Sequence, residues 1–387
     1  MKRKAMSLLL VLILAASVFA FSACSGDDGS GDEGAAEADT IKIGVFGPTT
    51  GPVAAYGSAV VESVKLAAAE INEAGGINGT EVEIFDYDTQ ADSTEAINIY
   101  NRLKDQDQVH AIIGGTISSE TLAVKELAIA DNMPMLTPTG TAAEITVDAP
   151  SIFRACYLDP YQGKAAAQFA LDSLGAETAA ILYNSDDAYS SGIAEAFRDA
   201  FNESGEVTVF EGYTANSVDY SAELTTVQNE NPDIIFLPDY YQTVGSIATQ
   251  IRDMGLEQTV VGVDGWDSVE IDYAEQVEGY YFVNHFAKTD PSEVVQNFIQ
   301  AFQDEYGSEP NALGALGYDS MHVMAEAISN ASSLSREDIV AALSEVEYDG
   351  VTGTIKFDEQ GDAAEKNISI IKLVDGEHVL EDTVSVE

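Results

Sequence analysis

From residue 40 onward the chain alternates between two hydrophobic periodicities. Short apolar runs bounded by Gly, Pro, Asn or Asp occur at 41–46 (IKIGVF), 81–87, 110–113, 134–136, 178–183, 233–237 and 259–263. Such runs suit strands buried on both faces of a parallel sheet. Between them, helical spacing appears at 58–74, 93–106, 119–131, 161–174, 188–204, 220–230 and 243–254. This order predicts doubly wound α/β sheets with helices on both faces. It runs twice, with a pause at 148–159 (DAPSIFRACYLD). A further helix at 321–331 and a closing hairpin over 353–373, turning at 358–361, suggest that the chain passes between two lobes more than once. The expected crossings lie near 154–157, 284–287 and 351–354, and several crossings make a hinge. The expected fold is thus two doubly wound α/β lobes joined by a three-crossing hinge. Residues 40–154 plus 285–351 form the N-terminal lobe, and 155–284 plus 352–387 the C-terminal lobe.

The region before residue 40 reads differently. Met1-Lys2-Arg3-Lys4 precedes an apolar stretch over 8–21 and then Ser22-Ala23-Cys24. A basic start, a short apolar core and small residues before a lone Cys are the parts of a bacterial export signal. The apolar stretch is shorter than the roughly 20 residues of a spanning helix, so residues 1–23 are expected to be cleaved. The pattern resembles the lipobox of bacterial lipoproteins, with Phe21 where an aliphatic residue is usual, and it implies lipid on Cys24. Residues 24–39 are acidic and rich in small residues, as a flexible tether would be. The folded part would then sit on the extracytoplasmic face of a membrane that only the lipid enters.

Composition narrows the partners. The chain carries 66 Asp+Glu against 17 Lys+Arg, a formal net charge of −49. That balance disfavours nucleic acid and anionic lipid and fits a solvated extracellular surface. Cys24 and Cys156 are its two cysteines, so with Cys24 lipidated no intramolecular disulfide can form. The expected form is a monomer.

Open α/β sheets bind ligands outside the carboxyl ends of their strands. The segments following the strands are therefore the candidate site: 47–57 with Tyr56, 114–119 with Thr116, Ile117 and Ser118, and 137–141 with Thr139, Gly140 and Thr141. In the second half they are 184–189 with Tyr189, 238–241 with Tyr240, and 264–267 with Asp264 and Trp266. None of the six contains Lys, Arg or His. Ser118 and Thr141 each precede a helical pattern, and Thr141-x-x-Glu144 fits a capping box, so their hydroxyls sit beside free N–H groups that can hold a carboxylate. Asp264 facing them would receive an ammonium, and Tyr56, Tyr189, Tyr240 and Trp266 would wall the ligand's side chain. A neutral apolar amino acid fits this chemistry better than a dicarboxylate. Either hydroxyl could alternatively cap only its own helix, and Asp264 could be a solvated turn residue.

Enzyme chemistry finds little support. Glycines 44, 47 and 51 do not match a dinucleotide fingerprint, and there is neither a phosphate loop nor a Gly-x-Ser-x-Gly elbow. His110, His285, His322 and His378 are scattered without metal-ligand spacing. No cofactor is expected.

The stretches GPVAAYGSA, AAAEINEAGGINGTEVEIFDYD, IIGGTISSET, MLTPTGTAAEIT and GTIKFDEQGD carry a family resemblance. From residue 41 to about 362 the chain resembles the type I periplasmic solute-binding proteins of ABC transporters, in particular the leucine/isoleucine/valine-binding group. The resemblance implies the type I periplasmic-binding-protein fold and capture of a branched-chain amino acid between two lobes. It also implies delivery to an ABC permease and its ATPase. Ser118, Thr139 and Thr141 match the positions that hold the ligand's carboxylate and amino group, with Thr139 also at the family's backbone carbonyl contact. Asp264 stands at the acidic position, where Glu is frequent, and Tyr56, Tyr189 and Tyr240 match the tyrosines. Ala91 and Ile117 replace the cysteines of the usual disulfide, and Trp266 is expected to add bulk near the cleft. The same fold also serves sensor ectodomains, which is the alternative function.

Overall fold

The computed structural model describes residues 40–363, 366 and 368–384. The expectations for the signal, Cys24 and the tether lie outside these described residues. The first βα series comprises β1 (Ile41–Gly47), α1 (Ala54–Glu73), β2 (Val82–Asp88), α2 (Ser93–Arg102), β3 (Ala111–Ile113), α3 (Ser118–Asp131), β4 (Met135–Thr137) and β5 (Ile152–Arg154). The second comprises α4 (Asp159–Asp172), β6 (Thr178–Asn184), α5 (Ala188–Phe201), β7 (Glu206–Tyr213), α6 (Ser221–Glu230), β8 (Ile234–Leu237), α7 (Tyr241–Asp253), β9 (Thr259–Gly262), α8 (Glu270–Val277) and β10 (Tyr281–Asn284). There follow α9 (Glu293–Tyr306), α10 (Ala312–Asn330), α11 (Arg336–Leu343), β11 (Glu347–Gly350), β12 (Gly353–Lys356), β13 (Ile368–Val374) and β14 (Glu377–Val384).

Two main sheets result. The first has the order β2-β1-β3-β4-β5 and is wholly parallel. The second has the order β14-β13-β10-β9-β8-β6-β7 and is parallel from β10 to β7. Strand β13 joins β10 antiparallel, and β14 pairs antiparallel with β13. The central strands β3, β4 and β8 are buried at every residue, as strands covered by helices on both faces must be. Each fully buried Ile or Leu in them contributes about 1.5–3 kcal/mol of apolar burial.

The chain leaves the first sheet after β5 and enters α4 at Asp159, then leaves the second sheet after β10. Helix α10 lies against α1, β3 and β4, returning this stretch to the first sheet. The third passage lies between β12 and β13, later than expected, because β12 pairs with β11. The expected hairpin over 353–373 therefore does not form. Asp358–Gly361 does turn, bridged by Phe357 and Ala363, but β12 and β13 belong to different sheets. Alternation of apolar residues on both sides of a turn does not say which partners they take. Strand β7 was not expected because it is half exposed and lacks a continuous apolar run. Among the described residues, no helix is long and apolar enough to cross a membrane.

Candidate functional site

Both sheets reverse their winding at one place, between β1 and β3 in the first and between β6 and β8 in the second. Reversal leaves a crevice outside the strand ends where neighbouring loops splay apart. The loops after β1, β3, β4, β6, β8 and β9 meet there. They surround about 270 Å³ of space, open solvent included, with Tyr56, Thr116, Ile117, Ser118, Thr139, Thr141, Tyr189, Tyr240, Asp264, Gly265 and Leu313.

The first-sheet side of the crevice offers hydroxyls. Ser118 is the first residue of α3, where backbone N–H groups have no helical partner. Its Oγ accepts from Ala142 N at 3.1 Å, tying the loop after β3 to the loop after β4 and leaving its own proton free to donate. Thr139 donates to Thr116 O, whereas Thr116 Oγ1 is buried with no hydrogen-bond partner. A buried hydroxyl without a partner costs about 1–3 kcal/mol, which a polar ligand would recover. Thr141 Oγ1 is likewise buried without a partner, and burial pushes the nearby Asp159 carboxyl well above its ordinary range. The capping box expected at Thr141-x-x-Glu144 is absent. Residues Ala143–Ile145 form only a 3-10 turn preceded by Ala142, which has no capping side chain. Thr141 is drawn inward instead, its carbonyl accepting from Asp159 N at 2.9 Å. Beneath this side Glu120 is buried and pushed up to about 7 by desolvation, with Thr89 donating to it.

Arg154 fixes the loop that carries Thr139 and Thr141. Its side chain is fully buried, with Nε on Asp362 Oδ1 at 2.5 Å and Nη1 on the carbonyls of Gly140 and Ala142 at 3.0 and 2.9 Å. Nη2 donates to Thr146 Oγ1 at 2.9 Å. Gly140 thus lies behind the crevice lining, held by its backbone, rather than in it as expected.

The opposite side supplies the acid. Asp264 Oδ1 accepts from Tyr189 OH at 2.6 Å, and Oδ2 lies 2.9 Å from His285 Nε2. Gly265 N donates to the same Tyr189 oxygen at 2.9 Å, so the turn and the ring are locked together. A Cβ at Gly265 would come within 2.6 Å of that oxygen, which is why the turn carries glycine. Tyr189 and Tyr240 stack at 4.9 Å between centroids, and Tyr56 meets Tyr240 at 6.0 Å. Tyr56, carried by α1, also spans the crevice: its hydroxyl donates to Gly265 O and accepts from Tyr241 N at 3.2 Å. These bonds hold the two sides closed over the space.

Trp266 departs from expectation. It is fully buried away from the crevice lining, its Nε1 donates to Leu237 O at 2.9 Å, and its ring packs near Phe282. A Cβ on Gly262 would lie 2.0 Å from the indole, so the strand end is shaped to admit it. The side chain turns back because side chains in the 3-10 turn Asp264–Trp266 point about 120° apart, so Trp266 leaves the face that Asp264 presents. Two lining residues were not anticipated: Gly265, and Leu313 at the start of α10. The signal for Leu313 was present in Asn311, whose side chain caps the helix by accepting from Gly314 N at 2.9 Å. His285 was also passed over, since its partner Asp264 is remote in sequence.

The arrangement presents hydroxyls and helix-end amides on one side, a carboxylate on the other and aromatic walls between. No Lys, Arg or His lines it. A zwitterion with an uncharged side chain complements this set.

Comparison with known proteins agrees with the fold. A family model described as periplasmic binding protein matches residues 40–377. A leucine-, isoleucine-, valine-, threonine- and alanine-binding protein of Pseudomonas aeruginosa is 31% identical over 331 residues, covering 84% of this chain and 87% of that protein. The crystal structure of a leucine-binding protein, LivK, from Thermotoga maritima superposes with a TM-score of 0.84 at 33% identity, covering 89% of this chain and 99% of that one. The branched-chain amino acid transporter substrate-binding protein LivJ from Streptococcus pneumoniae, solved in complex with isoleucine, gives 0.85 at 31% identity, covering 90% and 100%.

Proposed function

The chain belongs to the periplasmic binding protein family, and on that premise we propose that it captures a neutral apolar amino acid, of the branched-chain class, for an ABC permease and its ATPase. The observation that carries this reading is the pairing within one crevice of Ser118 and Thr141 with Asp264, without a cationic side chain in the lining. Hydroxyls and the free amides of α3 suit the ligand's carboxylate, and Asp264 suits its ammonium. Ile117, Leu313 and the tyrosines suit an aliphatic side chain, and nothing in the lining would balance a second ligand charge. The names of the relatives with 31–33% identity point the same way. The two sides would open to admit the ligand and close over it, and a permease would recognise the closed form. Binding is the proposed activity rather than catalysis. The export-signal pattern and Cys24 in the sequence support work on the extracytoplasmic face, and lipid on Cys24 is the proposed anchor.

A thermal-shift screen of residues 40–387 against the twenty L-amino acids, several sugars, amides and dicarboxylates tests the reading. A ligand at about 1,000 times its Kd stabilises by about 4 kcal/mol, a shift of several degrees. Stabilisation by Leu, Ile or Val is expected. Stabilisation by sugars or amides alone would overturn it.

A further inference from the structure

We propose that His285 is a positioning residue for Asp264: as a neutral imidazole it aims the carboxylate and leaves its charge free for a ligand amino group, and its protonation cancels that charge and weakens binding. The inference deepens the amino-acid reading above and rests on it. Asp264 has one oxygen taken by Tyr189 OH and the other by His285 Nε2. Both are neutral donors when the imidazole carries its proton on Nε2. The carboxylate is then fixed in orientation while keeping a full negative charge. A second proton on His285 turns the pair into a neutral ion pair, and an incoming ammonium meets no net charge.

The setting of His285 fits this role better than a purely structural one. It lies just past the end of β10, on the passage back to the first sheet, and its ring stacks on Tyr157 at 3.6 Å. Tyr157 comes from the other passage, between β5 and α4, so the imidazole sits where two hinge segments cross. Its Nδ1 is buried without a hydrogen-bond partner, so no acceptor on that side stabilises a second proton there. The charged groups facing it are Asp264 and Asp267 from the turn after β9 and Lys366 from the segment before β13. Behind Asp264 stand Tyr189 from α5 and the buried Asp159 from α4. Burial holds the imidazole below its ordinary 6.5, against the pull of Asp264 and Asp267 and with the push of Lys366. The resting state near neutral pH is therefore the neutral donor. A bound ammonium disfavours the second proton further, so ligand and proton exclude each other at this pair. Affinity is expected to be level near pH 7.5 and to fall as acid protonates His285.

Isothermal titration of L-leucine, isoleucine and valine into wild type and His285→Gln, from about pH 7.5 to about pH 4.5, tests this. Gln keeps an N–H donor for Asp264 but cannot take up the proton. Wild-type affinity should fall about tenfold per pH unit once His285 titrates, while the Gln variant stays level over that range. Parallel losses in both proteins, or a level wild-type profile, would overturn the proposal. Should the variant not fold, wild type titrated near pH 5 in two buffers of different ionisation enthalpy must still release protons on binding, and zero release overturns the proposal as well. Failure of wild type to bind any amino acid at pH 7.5 is a separate result that removes the amino-acid reading itself.

Discussion

The hydroxyl of Tyr56 holds the crevice closed, and Tyr56→Phe removes it alone. Two bonds are lost, one to Gly265 O and one from Tyr241 N. Both partners lie at strand ends of the second sheet, Gly265 in the turn after β9 and Tyr241 at the start of α7, whereas Tyr56 belongs to α1 beside the first. Each bond contributes about 0.5–1.5 kcal/mol net, so together they favour closure by about 1–3 kcal/mol. Because bonds across the crevice exist only when it is shut, their loss falls on the ligand-bound form and not on folding. The ring remains, with its contacts to Tyr240 and Tyr241. Affinity should therefore weaken about 5- to 150-fold, and the loss should appear as faster dissociation, since closure follows docking. Titration calorimetry for affinity, stopped-flow for the two rates and thermal unfolding without ligand together check this. Affinity within twofold of wild type would refute the latch. So would an equal loss of stability with and without ligand, because the bonds would then belong to the fold itself.

How much of this was legible in the sequence follows from what each feature depends on. Strands β3, β4 and β8 were readable within a residue, because burial on both faces leaves continuous apolar runs such as AII and IIFL, whereas the three-residue β5 lay inside the expected pause at 148–159. The site loops were readable too, since strand ends and winding order locate the crevice. Orientation within a loop was not. Asp264 and Trp266 are two residues apart in one turn, yet one lines the crevice and the other fills the core, because 3-10 geometry points them about 120° apart. Pairings distant in sequence were equally hidden. His285 with Asp264, and Arg154 with Asp362, join segments through the hinge passages, and nothing near either residue in the chain signals the partner. The β12–β13 error has the same origin: the apolar alternation was real, but the third passage decided which sheet received each strand.

Asp264→Asn keeps the shape of the acid but removes its charge and turns one of its two acceptor oxygens into an N–H donor. Binding of a branched-chain amino acid should weaken by about 1.5–3 kcal/mol, as for a charge-assisted bond, and unchanged affinity by calorimetry would make Asp264 a turn residue only. Trp266→Phe should cost about 1–3 kcal/mol of stability through a cavity and an unpaired Leu237 carbonyl, with Kd changed less than threefold; a large loss of affinity would return Trp266 to the crevice. Arg154→Met separates stability from site geometry. Alone it strands the Asp362 carboxylate in a buried place and should cost about 3–5 kcal/mol by denaturant unfolding. Adding Asp362→Leu removes the stranded charge, so much of that stability should return. Affinity should not return with it, because the carbonyls of Gly140 and Ala142 still lack the guanidinium that fixes the Thr139–Thr141 loop. A double variant that regains both would show that the loop holds its own shape, and that the ion pair serves only to neutralise two buried charges.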